Sequence, residues 1–175
     1  MSKKVVLIFI EGDTEVEFYK EFIAIIRACC NGKFNCHVEI VNAGGISRYD
    51  KKVLRIFEKQ IKPKYQDSQF HIALCYDQDV FELGKKPPVD WKKVKKEFLG
   101  SGATEVLMVK AENSIEDWFL CDTEGVLQYL HLPKSTKIPS GSGADKLKTL
   151  FRRANKVYIK GKNNEQFLRM LDIKK

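Results

Sequence analysis

Four short apolar segments, each followed by a stretch with helical periodicity, constrain the fold of this chain more than any other feature. The segments span residues 5–10, 37–41, 70–76 and 105–109. Short apolar runs bounded by turn residues are typical of strands that are buried on both faces, as in a parallel sheet. A strand followed by a helix, four times over, predicts an α/β protein. We expect a doubly wound sheet of about four parallel strands with helices on both faces.

The last part of the chain departs from this alternation. Residues 133–143 hold two prolines, two glycines and four serines or threonines, which indicates a loop, and apolar residues at helical spacing follow it. We expect a core at residues 1–131 and a small helical extension at residues 132–175 that packs on this core as one domain. Two local features are also predicted: a capping box between Thr14 and Glu17, and a short edge strand at residues 157–159.

Carboxylates follow three of the four predicted strands. The carboxyl ends of parallel strands meet at one edge of a sheet, where open α/β proteins bind ligands, so we expect these groups to lie together. Clustered carboxylates repel one another, and a divalent cation relieves that repulsion. Oxygen ligands favour Mg²⁺ or Mn²⁺ over zinc. The expected metal ligands are Glu11 and Glu15 after the first strand, Asp77 and Asp79 after the third, and Glu112 and Glu116 after the fourth.

Several of these residues also have a purely structural interpretation. Glu15 suits the first turn of a helix, where acidic side chains interact favourably with the helix dipole. Asn113 and Glu116 have the spacing of a capping box. Asp77 and Asp79 are compatible with a turn. However, residues two apart on a strand point the same way, which metal binding needs and a turn does not.

The order of these residues resembles the Toprim domain. The resemblance rests on an apolar strand followed by EGxTE at residues 11–15, and on a later apolar strand that ends in DxD at residues 77–79. It covers roughly residues 4–121. The first motif and the segment ENSIEDWFL are most similar to RloB-like and OLD-type proteins. The resemblance implies a Mg²⁺-dependent nuclease that hydrolyses phosphodiester bonds of nucleic acid, in phage defence or in a mobile element.

The resemblance also implies roles for individual residues of the core. Glu11 would bind metal or act as a general acid or base. Asp77 and Asp79 would be the metal-binding pair of the DxD motif. Glu15 would be the second acid of the OLD-type motif.

Further positions follow from the same resemblance. Either Glu112 or Glu116 would be the additional acid with which OLD-type nucleases hold a second ion, and Glu116 is preferred. Lys160 is the first candidate for the catalytic lysine that these nucleases use late in the domain, with Lys162 and Lys146 as alternatives. The glycine-rich segment at residues 141–146 does not have the spacing of a phosphate-binding loop. An ATPase would therefore be a separate partner subunit, or absent.

The chain carries a net positive charge. Its 31 lysines and arginines exceed its 23 acidic residues, which gives a formal net charge of +8. Such an excess favours an anionic partner, nucleic acid first, with DNA preferred over RNA. Ser47 and Arg48 follow two glycines and are candidates for a phosphate contact. Basic residues are also concentrated in two clusters, at residues 85–96 and 146–162. The candidate nucleic-acid contacts in these clusters are Lys85, Lys86, Lys92, Lys93, Arg152 and Arg153.

Two other functions are compatible with the same residues. One is a catalytically degenerate Toprim module that binds nucleic acid or a partner ATPase. The other is a phosphatase of the haloacid-dehalogenase type, with Asp77 as the nucleophile and Asp79 as the acid. Phe81 stands where that type of motif has threonine or valine, which argues against the phosphatase.

The compartment is inferred from apolar runs and cysteines. No apolar run approaches the length of about 20 residues that a membrane span needs. The five cysteines form no CxxC pair, which favours a reduced compartment over a disulfide framework or a zinc site. We therefore expect a cytoplasmic protein without membrane attachment.

Overall fold

The structure is a computed structural model that describes residues 3–77, 89–160 and 165–172. The strands are β1 (Lys4–Ile10), β2 (His37–Asn42), β3 (Gln69–Asp77) and β4 (Glu105–Ala111). The helices are α1 (Asp13–Cys29), α2 (Lys52–Ile56), α3 (Lys62–Lys64), α4 (Trp91–Gly100), α5 (Ile115–Phe119), α6 (Thr123–Tyr129), α7 (Gly143–Arg153) and α8 (Glu165–Arg169). A π-helical turn (Phe57–Ile61) joins α2 to α3, and 3-10 turns occupy Ile46–Arg48 and Leu120–Asp122.

The four strands are all parallel and lie in the order β2-β1-β3-β4. β1 is an inner strand, and its Ile8 aligns with Ile40 of β2 and with Ala73 of β3. The predicted fold class is confirmed: the protein is an α/β protein with a parallel sheet of four strands. Because neighbouring parallel strands end at the same edge, the ends of β1 and β3 lie next to each other, with Phe9 level with Leu74.

Apolar side chains alternate between the two faces of the sheet and form two cores. On one face, Leu7 and Phe9 pack with Phe57 and Phe98, which belong to the helical segments before and after β3. On the other face, Ile8 and Ile10 pack with α1 and with the C-terminal part of the chain. The C-terminal residues in this second core are Leu147, Leu150, Phe151, Tyr158, Phe167, Leu168 and Leu171. Helices therefore cover both faces, and the C-terminal segment shares a core with the sheet.

The capping box expected in α1 is wrong. The helix begins at Asp13, after Gly12, whose extended backbone (φ −151°) is that of the residue preceding a helix. Thr14 is therefore already inside the first turn, and it is buried. Within the described residues, no side chain caps this end of α1.

The edge strand expected at residues 157–159 is also wrong, because this segment does not join the sheet. Tyr158 is 5% exposed and inserts into the core beside Phe151, whereas Val157 is 79% exposed and Ile159 is 49% exposed. The alternation of exposed and buried residues that suggested a strand arises because the Tyr158 side chain alone packs into the core from an irregular segment. Helix α6 was not predicted at all.

The start of α7 lies against α5 without room for a side chain. A methyl group on Gly143 would lie 2.6 Å from the amide nitrogen of Asp117 and 2.7 Å from its Cγ. We expect Gly143→Ala to lower the free energy of unfolding by about 1–3 kcal/mol, the usual cost of overpacking. Urea denaturation measures this change.

Gly100→Ala is the matched control for that substitution. A methyl group on Gly100 would meet nothing within 4 Å. This variant should unfold like the original protein or gain up to about 1 kcal/mol, because alanine restricts the unfolded chain more than glycine does. Equal losses of stability in the two variants would contradict the close approach of α7 to α5.

Candidate functional site

The ends of β1 and β3 bring two of the expected acidic residues together. Glu11 follows β1 directly, and Asp77 is the last residue of β3. The backbone N–H of Asp77 donates a hydrogen bond of 2.9 Å to Oε1 of Glu11. The Asp77 side chain is buried, so its carboxylate is held in place by the fold. Residues 66 positions apart in the sequence therefore lie at one edge of the sheet, as the strand-end argument predicts.

Glu15 extends this acidic group from the first turn of α1. Its side chain is 5% exposed, and its Oε2 has no hydrogen-bond partner among the described residues. Burial raises the pKa of its carboxyl, and the charge of Glu116 acts in the same direction, whereas backbone hydrogen bonds and the charge of Lys160 oppose the change. A buried carboxylate oxygen without a partner is costly, and a bound cation would remove that cost.

These groups line a cleft of about 250 Å³ at the carboxyl edge of the sheet. The loop after β2 contributes a backbone wall to this cleft, and the C-terminal segment contributes a lysine. The lining residues are Glu11, Gly12, Asp13, Thr14, Glu15, Gly45, Asp77 and Lys160. The cleft thus combines acidic side chains from two strand ends with one cation.

Lys160 links the cleft to Glu116. Its Nζ lies 3.9 Å from Oδ2 of Asp77 and 3.5 Å from Oε2 of Glu116. Burial disfavours the charged ammonium, but the surrounding carboxylates, chiefly those of Glu116 and Asp77, outweigh that effect and raise the pKa of Lys160. The ammonium therefore stays charged at neutral pH. It gives the acidic cluster a positive partner supplied by the chain itself.

Glu116 is fully buried and is positioned from two sides. It lies in α5, and its Oε1 accepts a hydrogen bond of 3.2 Å from the hydroxyl of Tyr158. The capping box that Asn113 would form with Glu116 is absent from this described part of the chain. Instead, Ser114 precedes α5, and its hydroxyl donates to Asp117 at 2.9 Å. Glu116 is therefore directed inward, toward Lys160.

Sequence reasoning did not identify Tyr158 as part of the site. The signal for it was present, since a tyrosine between two exposed apolar residues stands two positions before the candidate lysine. That alternation was interpreted as an edge strand, so the hydrogen bond from the Tyr158 hydroxyl to Glu116 was not predicted. The structure shows that Tyr158 and Lys160 point in the same direction and hold opposite oxygens of Glu116.

Other expected site residues lie apart from this cleft or outside the described residues. Glu112 is exposed and does not line the cleft. Lys92 and Lys93 are exposed at the start of α4, and Arg152 and Arg153 are exposed at the end of α7. Asp79, Lys85 and Lys86 fall outside the described residues.

The donor chemistry of the cleft suits a hard divalent cation. Its acidic side chains, including those of Glu11, Glu15 and Asp77, offer only oxygen atoms, which Mg²⁺ and Mn²⁺ prefer as ligands. Among the residues described, no group of three or more His, Cys, Asp or Glu side chains is arranged to hold a metal ion. The unpartnered oxygen of Glu15 is the observation that favours a cation here.

Comparison of the chain with protein-family models, with curated proteins and with solved structures gives no match. The fold and the site define the class of protein directly: an α/β protein with an acid-lined cleft at the carboxyl edge of a parallel sheet. Across the described ranges, no helix is both long enough and apolar enough to cross a membrane.

Cys75 lies two residues before Asp77 but does not have the properties of a nucleophile. The thiol is 4% exposed, and burial raises its pKa to about 12. Because the thiolate is the reactive form, we expect iodoacetamide to leave Cys75 unmodified in the folded protein. Peptide mass spectrometry should find the label on the exposed Cys29 and Cys121. Labelling of Cys75 as fast as Cys121 would contradict this assignment.

Proposed function

We propose that the protein is a Mg²⁺- or Mn²⁺-dependent nuclease of the Toprim type that hydrolyses phosphodiester bonds of nucleic acid. The observation that carries this proposal is the hydrogen bond from Asp77 to Glu11 within a cleft that also holds Glu15 and Lys160. A cation and a phosphate group would both find complementary charges in such a cleft. An acidic cluster with a purely structural role does not need an open cleft beside it.

The cation would be held by Glu11 and Asp77, with Glu15 supplying its unpartnered oxygen. Asp79 is a further candidate ligand on sequence grounds. A divalent ion in such a site polarises a phosphoryl oxygen and activates water. One carboxylate oxygen of Glu11 accepts the hydrogen bond from the backbone of Asp77, which fixes this side chain at the wall of the cleft.

Lys160 has the position of a phosphate-binding cation. Its ammonium stays protonated because Glu116 and Asp77 hold it between them. An ammonium placed before the substrate arrives can stabilise negative charge that develops on a phosphate oxygen without further rearrangement. Glu116 and Tyr158 are then positioning residues, since they act on the substrate through Lys160.

The excess of basic residues in the chain favours nucleic acid over a small phosphate ester. Trp91 at the start of α4 stacks on Tyr76, the residue before Asp77, with ring centroids 4.2 Å apart. This contact places Lys92 and Lys93, which follow Trp91 and are exposed, near the end of β3. Exposed lysines bind phosphate backbones with little dependence on base sequence.

Incubation of the purified protein with labelled DNA and RNA tests the proposal. We expect cleavage with Mg²⁺ or Mn²⁺ and none with EDTA, and we expect DNA to be cut in preference to RNA. Single-stranded and duplex forms identify the preferred substrate. Hydrolysis of a small phosphate ester without cleavage of nucleic acid would contradict the proposal and favour the phosphatase.

A binding module without catalytic activity is the second candidate function. It is favoured by the lack of a preassembled group of metal ligands in the part of the chain that the structure describes. This function requires nucleic-acid binding that is the same with and without Mg²⁺, and no cleavage under any metal. A partner ATPase and a role in phage defence are compatible with either function.

A further inference from the structure

We propose that Arg48 binds a backbone phosphate of the nucleic acid at the rim of the cleft. The identity of the ligand rests on the proposed function. The position of the residue follows from the contacts of the loop that carries it. This loop, residues 42–49, follows β2 and is called the β2 loop below.

The β2 loop is attached to both strand ends that carry the acidic residues. At one end, the N–H of Gly45 donates to the carbonyl oxygen of Glu11 at 2.8 Å. At the other end, the hydroxyl of Tyr49 donates to the carbonyl oxygen of Cys75, two residues before Asp77. Tyr49 is fully buried, so this attachment is rigid. Arg48 directly precedes Tyr49, so the backbone of Arg48 is fixed relative to Glu11 and Asp77.

The β2 loop also contacts the start of α1. The side chain of Asn42 accepts a hydrogen bond from the N–H of Gly44 and donates one to Asp13, both at 2.7 Å. Gly44 and Gly45 both have positive φ, at 81° and 116°, which side-chain-bearing residues rarely adopt. Gly45 forms part of the cleft wall, and a Cβ atom on it would meet nothing within 4 Å. The loop therefore presents bare backbone to the cleft, with room for a ligand.

Two basic side chains lie next to this backbone, and they differ in their contacts. Lys52 donates to the carbonyl oxygen of Ala43 at 2.8 Å, so its charge supports the loop itself. Arg48 is exposed, and its Nε lies 3.9 Å from the position that a Cβ on Gly44 would take. Within the described ranges, the side chain of Arg48 makes no hydrogen bond and no ion pair, although the loop itself contacts Asp13 and Glu11.

An arginine left without a partner beside a cleft is available to a ligand. Its planar guanidinium presents a pair of parallel N–H donors that match two oxygens of one phosphate. A substrate phosphate held by Arg48 would lie next to the cleft, where Lys160 and a bound cation would meet a neighbouring phosphate. Arg48 would thus set the position of the strand along the site.

Binding of a fluorescein-labelled DNA duplex, measured by anisotropy in Ca²⁺ over a range of salt concentrations, tests this inference. We expect Arg48→Ala to weaken binding by about tenfold for all sequences and to lower the slope of log K against log salt by about one. Arg48→Lys should keep most of the salt slope. Arg55→Ala is the control, because Arg55 is an exposed residue of α2 and its substitution removes the same charge.

Equal affinities of the Arg48→Ala and Arg55→Ala variants for the duplex would overturn the inference. A failure of the unsubstituted protein to bind DNA would overturn it as well. Thermal denaturation shows whether the variants fold, and Arg48→Gln replaces the alanine variant if that one does not. Cleavage is assayed separately in Mg²⁺. Loss of binding in Arg48→Ala without cleavage by the original protein would support the phosphate contact and reject the nuclease.

Discussion

Glu11→Gln is expected to reduce metal-dependent cleavage by at least about a hundredfold. Substituting a residue that only contacts a metal ligand already lowers metal affinity or activity by about 10–100-fold, and Glu11 is proposed to bind the metal itself. The glutamine keeps an Oε1 atom that can accept the hydrogen bond from the backbone of Asp77. The fold should therefore be retained, while the negative charge that the cation requires is lost. Asp77→Asn should give a loss of the same order. Single-turnover cleavage assays with Mg²⁺ measure both effects.

Glu17→Gln is the control for the Glu11 variant. Glu17 lies on α1, close to Glu15 in sequence, but it forms an exposed ion pair with Lys20 and does not line the cleft. Its substitution should change activity less than twofold, because exposed ion pairs contribute about 0.2–1 kcal/mol to stability and nothing to this site. If the Glu11 and Glu17 variants cleaved equally well, Glu11 would not be a metal ligand.

Lys160→Met is expected to have the second large effect, on activity and on stability together. Removing one preorganised donor to a developing charge costs about a hundredfold or more in rate. It also leaves Glu116 fully buried with Tyr158 as its remaining partner in the described structure. Because a buried charge without compensation is costly, we expect the free energy of unfolding to fall by about 2 kcal/mol. Cleavage assays and urea denaturation measure the two losses.

A second substitution separates these two effects of Lys160. In the double variant Glu116→Gln with Lys160→Met, the buried charge is gone, so most of the lost stability should return while cleavage stays impaired. Lys33→Met, in the exposed turn between α1 and β2, is the control for the loss of a surface lysine. Additive stability losses in the double variant would show that Lys160 and Glu116 do not interact.

The sheet and the centre of the site were predictable because both follow from strand periodicity. Short apolar runs followed by helices allow few topologies, and parallel strands place their carboxyl ends at one edge. That rule alone brings Glu11 and Asp77 together across 66 residues, and the hydrogen bond between them agrees with it. The resemblance favoured Glu116 over Glu112 as an additional ligand, and that role stays a prediction, but the burial of Glu116 is visible only in the structure. Both follow β4, but only Glu116 is buried and faces Lys160.

The missed features depend on contacts that no local pattern encodes. The segment with Tyr158 alternates like a strand, yet its position is set by packing of the tyrosine against α7. The start of α1 is decided by the backbone of Gly12 rather than by the spacing of Thr14 and Glu17. The attachment of the β2 loop through Tyr49 joins two strand ends, and sequence spacing cannot reveal such a long-range contact.

A crystal of the protein soaked with Mn²⁺ tests the central claim most directly, because anomalous diffraction locates the ion without reference to activity. We expect a peak within about 2–2.5 Å of carboxylate oxygens of Glu11 and Asp77, with Glu15 next to it. A second peak near Glu116 would establish a two-metal site. A fully soaked crystal with no peak in the cleft, and with Lys160 still bridging Asp77 and Glu116, would contradict the metal-dependent mechanism.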